Sequence, residues 1–390
     1  MAKKKASKAK KGHKSRPKSA DLNASEIFEE AEIAYLNDDA QLAGHLFQRA
    51  LTLEPDNPTF LDGFGAFLAE EGDVEGAVAV LGRSVQVAPE ASFEKYLYLG
   101  QLLEGSEAEQ AIRKGIQVLK AHLALAESAP PPAADAPPAP GADEAPSPAS
   151  LREALCSALC SLGESVLSSA NAAAAEALAA SLPAGSPPPG PDAALPPIAA
   201  EAAAAVEAAL AEANALLPGS PEPAQVLASL RISQGRMEDA LRAIDESVAK
   251  WYKEEDDEEK GEGKGEGASG APVGEDVNGD PPAFEFRLQS AQLLLTAGNG
   301  ARDERAASIL EGLVEENDLV PLVWYLLAGA YARMGEREAA AEAVAEGRKA
   351  AKRPPASLDP ETENVLASFE QLEREMAEED AAGQGAPMEA

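Results

Sequence analysis

The sequence predicts an all-α chain built from a repeated helix pair, and two observations carry this. Every segment between the proline- and glycine-rich stretches shows helical hydrophobic spacing, with no strand alternation and no hairpin signal. The spacing also recurs. Ala43 and Ala77 stand 34 positions apart, as do Phe47 and Leu81. A period of that size marks stacked helix pairs, each too small to bury its apolar face alone.

The copies follow one another along the chain. Residues 24–57 carry Ile27, Ala31 and Ala34, then Ala43, Phe47, Ala50 and Pro55. Residues 58–91 carry Leu61, Phe64, Gly65 and Leu68, then Ala77, Leu81 and Pro89. A shortened copy starts near Phe93, with Tyr96, Leu99, Gly100 and Ala111. The fourth is split, its first helix over 151–170 and its second over 199–219. Residues 221–254 supply Leu227, Ala228, Gly235, Ala240 and Ile244, and residues 287–320 supply Leu293, Ala306, Leu310 and Leu313. In the last copy Trp324, Leu327, Ala328 and Tyr331 have the spacing W-x-x-L-small-x-x-Y, with Ala340 and Val344 on the second helix. This is the tetratricopeptide pattern. The expected architecture is a superhelical solenoid of about seven helix pairs, interrupted by disordered inserts. Small residues at Ala31, Gly65, Gly100 and Ala328 let paired helices approach. Trp324 and Tyr331 read as core wedges rather than a ligand box.

Composition sets the partners. The 390 residues carry a net charge of −34. Nine of the 33 lysines and arginines lie within residues 1–18 beside no acid, which leaves 24 against 67 acidic groups in the rest. A body so acidic repels nucleic acid and attracts basic partners. The basic tail reads as a nuclear import signal or a solvated arm, with nucleic-acid contact the lesser reading. No apolar run is long enough for a membrane span, and no secretory signal opens the chain. Two cysteines allow no disulfide framework, which points to a reducing compartment.

Proline, glycine and charge divide the chain further. Residues 1–22 are expected as a disordered basic tail and 23–127 as units one to three. A Pro/Ala-rich linker at 128–150, read as unable to form helix, leads to units four and five over 151–252, which contain a low-complexity insert at 181–197. Residues 253–280 combine like charge with glycine and are expected to stay disordered. Units six and seven occupy 281–353, followed by a C-terminal helix and acidic tail over 354–390.

Catalytic signals are absent from this reading. His13, His45 and His122 are far apart, and the glycine-rich run at 261–267 lacks a phosphate-loop context. Cys156 and Cys160 lie one helical turn apart; with no further Cys or His near, they read as small buried residues and not as a metal or redox pair. No enzyme activity, cofactor or metal is expected.

The concave face of a tetratricopeptide array is lined by first-helix positions. Counting from each unit's start places Phe28, Glu32, Tyr35, Asp62, Glu70, Glu94, Gln101 and Glu104 there. Such a face suits an extended basic peptide, since carboxylates hold Lys and Arg while aromatic spots hold their stems. The Lys/Asn/Arg clamp of heat-shock co-chaperones is missing, because its positions are Phe28, Glu32, Gly63, Glu94 and Leu97.

Four stretches, at 94–108, 151–167, 226–240 and 284–336, resemble one family. "KYLYLGQL" and "EGLVEENDLVPLVWYLL" are the most specific phrases. The family is that of the tetratricopeptide assembly chaperones dedicated to the large-subunit ribosomal protein of universal family four. The resemblance implies a non-catalytic chaperone of cytoplasm and nucleus. It would capture that basic protein early, shield its rRNA-binding loop and accompany it through an import receptor, without binding membrane or nucleic acid itself. A generic scaffold of a nuclear or cytosolic complex and an acidic histone chaperone are the competing readings.

Overall fold

The computed structural model describes residues 22–128, 146–182, 196–252, 281–298, 300–356 and 362–384. The expected basic tail, the inserts and the acidic C-terminal end therefore lie largely or wholly outside the described residues. Fifteen helices and no extended strand are present among those described. The chain divides into two compact units, Met1–Pro130 and Pro131–Ala390.

The first unit holds α1 (Ala24–Leu36), α2 (Ala40–Leu53), α3 (Pro58–Glu70), α4 (Val74–Val87), α5 (Glu94–Leu102) and α6 (Gly105–Ser128). These are three helix pairs, each helix packing on the next, with α3 also touching α5. Local chemistry fixes the starts. Asn23 and Glu26 form a reciprocal capping box at α1, and Asp39, Asn57 and Asp73 cap α2, α3 and α4. Such caps satisfy amide donors that have no partner within the helix. The repeat positions close the core: Ala43, Ala77 and Leu81 are fully buried and Phe47 nearly so. Close helix contact needs small residues where the pattern names them, as the two glycines of this unit show. A Cβ on Gly65 would meet Leu81 at 2.4 Å, and one on Gly100 would meet Ile112 at 2.3 Å.

The second unit holds α7 (Pro148–Ser181), α8 (Ala200–Leu216), α9 (Glu222–Ser233), α10 (Met237–Ala249), α11 (Phe284–Ala297), α12 (Ala301–Glu316), α13 (Pro321–Met334), α14 (Arg337–Ala350) and α15 (Thr362–Gln384). Four pairs result, with α15 laid against α13 and α14. Helix α7 begins inside the expected linker. Pro148 sits at the first helical position, where its missing N–H costs nothing, and Ser147 caps the helix. The linker therefore ends earlier than the proline content implied.

Two aromatic readings change. The tryptophan deep in this unit's core is Trp251, 2% exposed, edge-on to Phe286 with ring centroids 6.3 Å apart. Trp324 and Tyr331 pack against the core only half-buried. Trp324 donates from Nε1 to the Asp318 carbonyl at 2.9 Å, and the Tyr331 hydroxyl donates to Glu311 at 2.6 Å. The wedge at the end of the array comes from α15, where fully buried Phe369 meets Tyr325 edge-on at 5.7 Å.

Candidate peptide-binding face

The first helices of the three N-terminal pairs, α1, α3 and α5, are joined by one polar cluster. Tyr35 from α1 and Tyr98 from α5 both donate to the carboxylate of Glu70 on α3, Tyr35 to Oε2 and Tyr98 to Oε1 at 3.0 Å. The Tyr35 ring also stands edge-on to Phe67 of α3, 5.3 Å between centroids, which anchors it on the apolar layer. Hydrogen bonding to the Glu70 carboxylate, together with burial and negative charge nearby, pushes the Tyr35 phenol up to about 12. Burial and the same carboxylate raise the Tyr98 phenol. Both tyrosines therefore stay protonated donors across the neutral range.

The remaining candidates fall into two groups. Glu32 and Gln101 are exposed. Each lies three residues from a tyrosine of the cluster, on α1 and α5 respectively, and so shares its helix face. Glu94 is exposed at the start of α5, where its carboxylate accepts from the Phe93 amide at 3.1 Å.

Three expectations need correction. The Phe28 side chain belongs to the core and not to the face. It is 6% exposed, stacked on Phe60 at 4.7 Å and edge-on to Phe47 at 5.3 Å. Asp62 is engaged inside the unit. It accepts from Ser84 and lies 3.8 Å from the ammonium of Lys95, which has no exposed side-chain surface. Lys95 also donates to Ser84 at 3.2 Å and to the Ala88 carbonyl at 2.5 Å. Glu104 lies beyond α5, which ends at Leu102, and so sits in a turn instead of on a first-helix face.

Tyr98 escaped the sequence count because the third unit is shortened. Its distance from Glu70, 28 residues against 35 between Tyr35 and Glu70, is the trace it leaves. The second unit has its own acid on a first helix. Glu222 of α9 is half-buried, its carboxyl raised by burial and opposed by a hydrogen bond from Ser157 of α7.

The chemical capacity of the Tyr35–Glu70–Tyr98 cluster follows from lone-pair counting. A carboxylate offers about four acceptor positions. The two phenols use two, and the remainder suit a guanidinium or ammonium approaching along the face. The tyrosine rings beside it offer cation–π surface.

Neither a known protein-family profile nor a curated protein sequence matches the chain. Among solved structures, the chain is similar to the assembly chaperone of RpL4, Acl4, residues 1–338, with a TM-score of 0.56 and 24% identity over 82% of this chain and 100% of that one. The fold is that of a tetratricopeptide-repeat protein. A tetratricopeptide repeat protein from Parabacteroides merdae also matches, with a TM-score of 0.47 and 11% identity over 89% of this chain and 98% of that one. The helix pairs, and the stacking of successive pairs within each unit, are those of this fold. No described helix is long and apolar enough to cross a membrane.

Proposed function

We propose that this protein is a non-catalytic chaperone that holds a basic segment of a newly made ribosomal protein. The observation that carries the reading is the Tyr35–Glu70–Tyr98 cluster, which spans three consecutive first helices with a carboxylate at its centre. A face of this kind selects an extended cationic chain, because each arginine gains charge-assisted bonds that a neutral residue does not. The client class we assign is the large-subunit protein of universal family four. The phrases shared with its dedicated chaperones support this, as does the likeness to a solved structure described as the assembly chaperone of RpL4. Residues 1–18 supply the basic import signal, read by an import receptor, so that the pair passes from cytoplasm to nucleus. The acidic surface disfavours direct binding to nucleic acid.

Affinity purification of the tagged chain, followed by mass spectrometry, tests the client. The expected result is one ribosomal protein of that family at near-equal amount. A stable multi-subunit complex would instead support a scaffold, and histones a histone chaperone; either outcome removes the client assignment.

A further inference from the structure

Helix α7 places Cys156 and Cys160 four residues apart, so their thiols project on the same side of the helix. Both are free and buried, 1% and 4% exposed. The chain then returns through α8 and the turn at Ser220, and α9 begins with Glu222. That return sets a carboxylate beside the two thiols. One Glu222 oxygen and the two sulfurs all lie within 4.8 Å of one another. The sequence offered only a pair, since the third donor comes from a different helix and is neither Cys nor His.

The groups around these three orient them. The Ser220 hydroxyl donates to the Cys156 sulfur. Ser157, the next residue on α7, donates to the Glu222 carboxylate. Ser220 is itself buried, and its carbonyl accepts from Lys250 at 3.0 Å, which brings an ammonium to the edge of the cluster. A metal ion entering the site would displace the thiol protons and be held by two thiolates and a carboxylate.

We propose that Cys156, Cys160 and Glu222 form a binding site for a thiophilic divalent metal ion, with Zn²⁺ the best fit. Two soft sulfurs exclude Mg²⁺ and Ca²⁺, which take oxygen ligands. Sulfur and carboxylate together suit Zn²⁺, whose tetrahedral sites use Zn–S bonds of about 2.3 Å and so hold two sulfurs about 3.8 Å apart. The three donors need to close by no more than about 1 Å to meet that geometry, given their present separations. The fourth position falls to water, because the set has three protein donors. Glu222 is half-buried and Ser157 exposed, so the cluster lies close to the protein surface. Ser157 and Ser220 hold the ligands in the way that hydrogen-bonding partners orient the ligands of known metal sites. The site ties α7 to the start of α9, two first helices of the second unit, and is independent of the face on the first unit.

The test is a Co²⁺ titration of the full-length, reduced and chelator-treated chain. The expected result is one equivalent bound with a thiolate-to-cobalt charge-transfer band and tetrahedral visible absorption, both erased by Zn²⁺. Cys160→Ala should abolish the charge-transfer band. Glu222→Gln, at a half-buried position, should keep the helical circular dichroism and weaken Zn²⁺ competition at least tenfold. Should the cysteine variant fail to fold, the glutamate variant still decides, since its only change is one donor atom. Co²⁺ binding without a charge-transfer band would place the ion on carboxylates or histidines elsewhere and overturn the site. An affinity unchanged in Glu222→Gln would overturn the assignment of the third ligand.

Discussion

Asp62→Ala is the substitution whose outcome separates internal structure from ligand binding on the first unit. The Lys95 side chain is fully buried, and its ammonium has three partners: Asp62 at 3.8 Å, Ser84 at 3.2 Å and the Ala88 carbonyl at 2.5 Å. Removing one member of a buried pair costs about 3–5 kcal/mol, because the other charge stays without compensation. Two features lower that figure. The 3.8 Å separation is long, and the Asp62 side chain keeps 20% of its surface in water. The loss should be about 2–4 kcal/mol, including the hydrogen bond from Ser84. Lys95→Met keeps the volume but leaves Asp62 without its cation; it should cost less than Asp62→Ala, about 1–3 kcal/mol, because Asp62 keeps part of its surface in water and still accepts from Ser84. In the Lys95→Met background the Asp62→Ala cost should shrink by at least about 1 kcal/mol, the coupling expected of groups in contact.

The pH dependence has a definite sign. Burial lowers the Lys95 pKa in the fold below the ordinary 10.5, against the opposing pull of Asp62. Below 10.5 the unfolded chain then binds more protons than the folded one, so stability rises with pH through that window. Without Asp62 the folded pKa drops further and the window opens at lower pH. Urea unfolding followed by circular dichroism, with the four variants at neutral and alkaline pH, measures all of this. An Asp62→Ala protein within about 0.5 kcal/mol of the parent, the ordinary range for a surface change, would refute the buried pair, as would an equal cost in both backgrounds.

Further outcomes follow from burial and hydrogen bonding. Phe28→Ala should cost about 3–5 kcal/mol as a core truncation, and a variant that melts like the parent would return Phe28 to the face. Trp251→Ala should lie in the same range and exceed Trp324→Ala, because Trp324 is only half-buried; denaturant midpoints rank the two. Tyr35 should titrate near 12 and move back toward 10.0 in Glu70→Gln, since the carboxylate bond is the largest cause of its rise. That raised phenol stabilises the fold fully below pH 10.0 and loses its contribution between 10.0 and about 12. Ultraviolet titration of the phenols checks the shift.

The helix pairs were legible because burial repeats with the chain. Ala43, Ala77, Leu81 and Ala328 are fully buried where the 34-residue pattern put them. The face was legible only in part, because position counting assumes one helix phase for every unit. In the first unit a gap at Gly63, where a Cβ would meet the Phe28 ring at 2.5 Å, draws Phe28 inward. Asp62 was misread because its partner comes from the next pair: Lys95 reaches back across α4, and no local spacing announces a buried lysine. Glu104 fell outside α5 because that helix is only nine residues long. Tyr35 and Glu70 lie close to one repeat apart and meet as neighbours on adjacent first helices. The cysteines were located correctly, but their carboxylate neighbour depended on how α9 docks against α7.

The most direct test of the account is a binding titration with the basic segment of the ribosomal client at two salt concentrations, using the parent and Glu70→Lys. Glu70 is exposed, so its reversal leaves the core untouched. Screening acts over about 10 Å at 0.1 M salt, so the parent's affinity should fall as salt rises. Glu70→Lys should weaken binding at least tenfold, about 1.4 kcal/mol, with its circular dichroism unchanged. Binding that ignores salt and is equal in both proteins would contradict the acidic face and place the client elsewhere on the molecule.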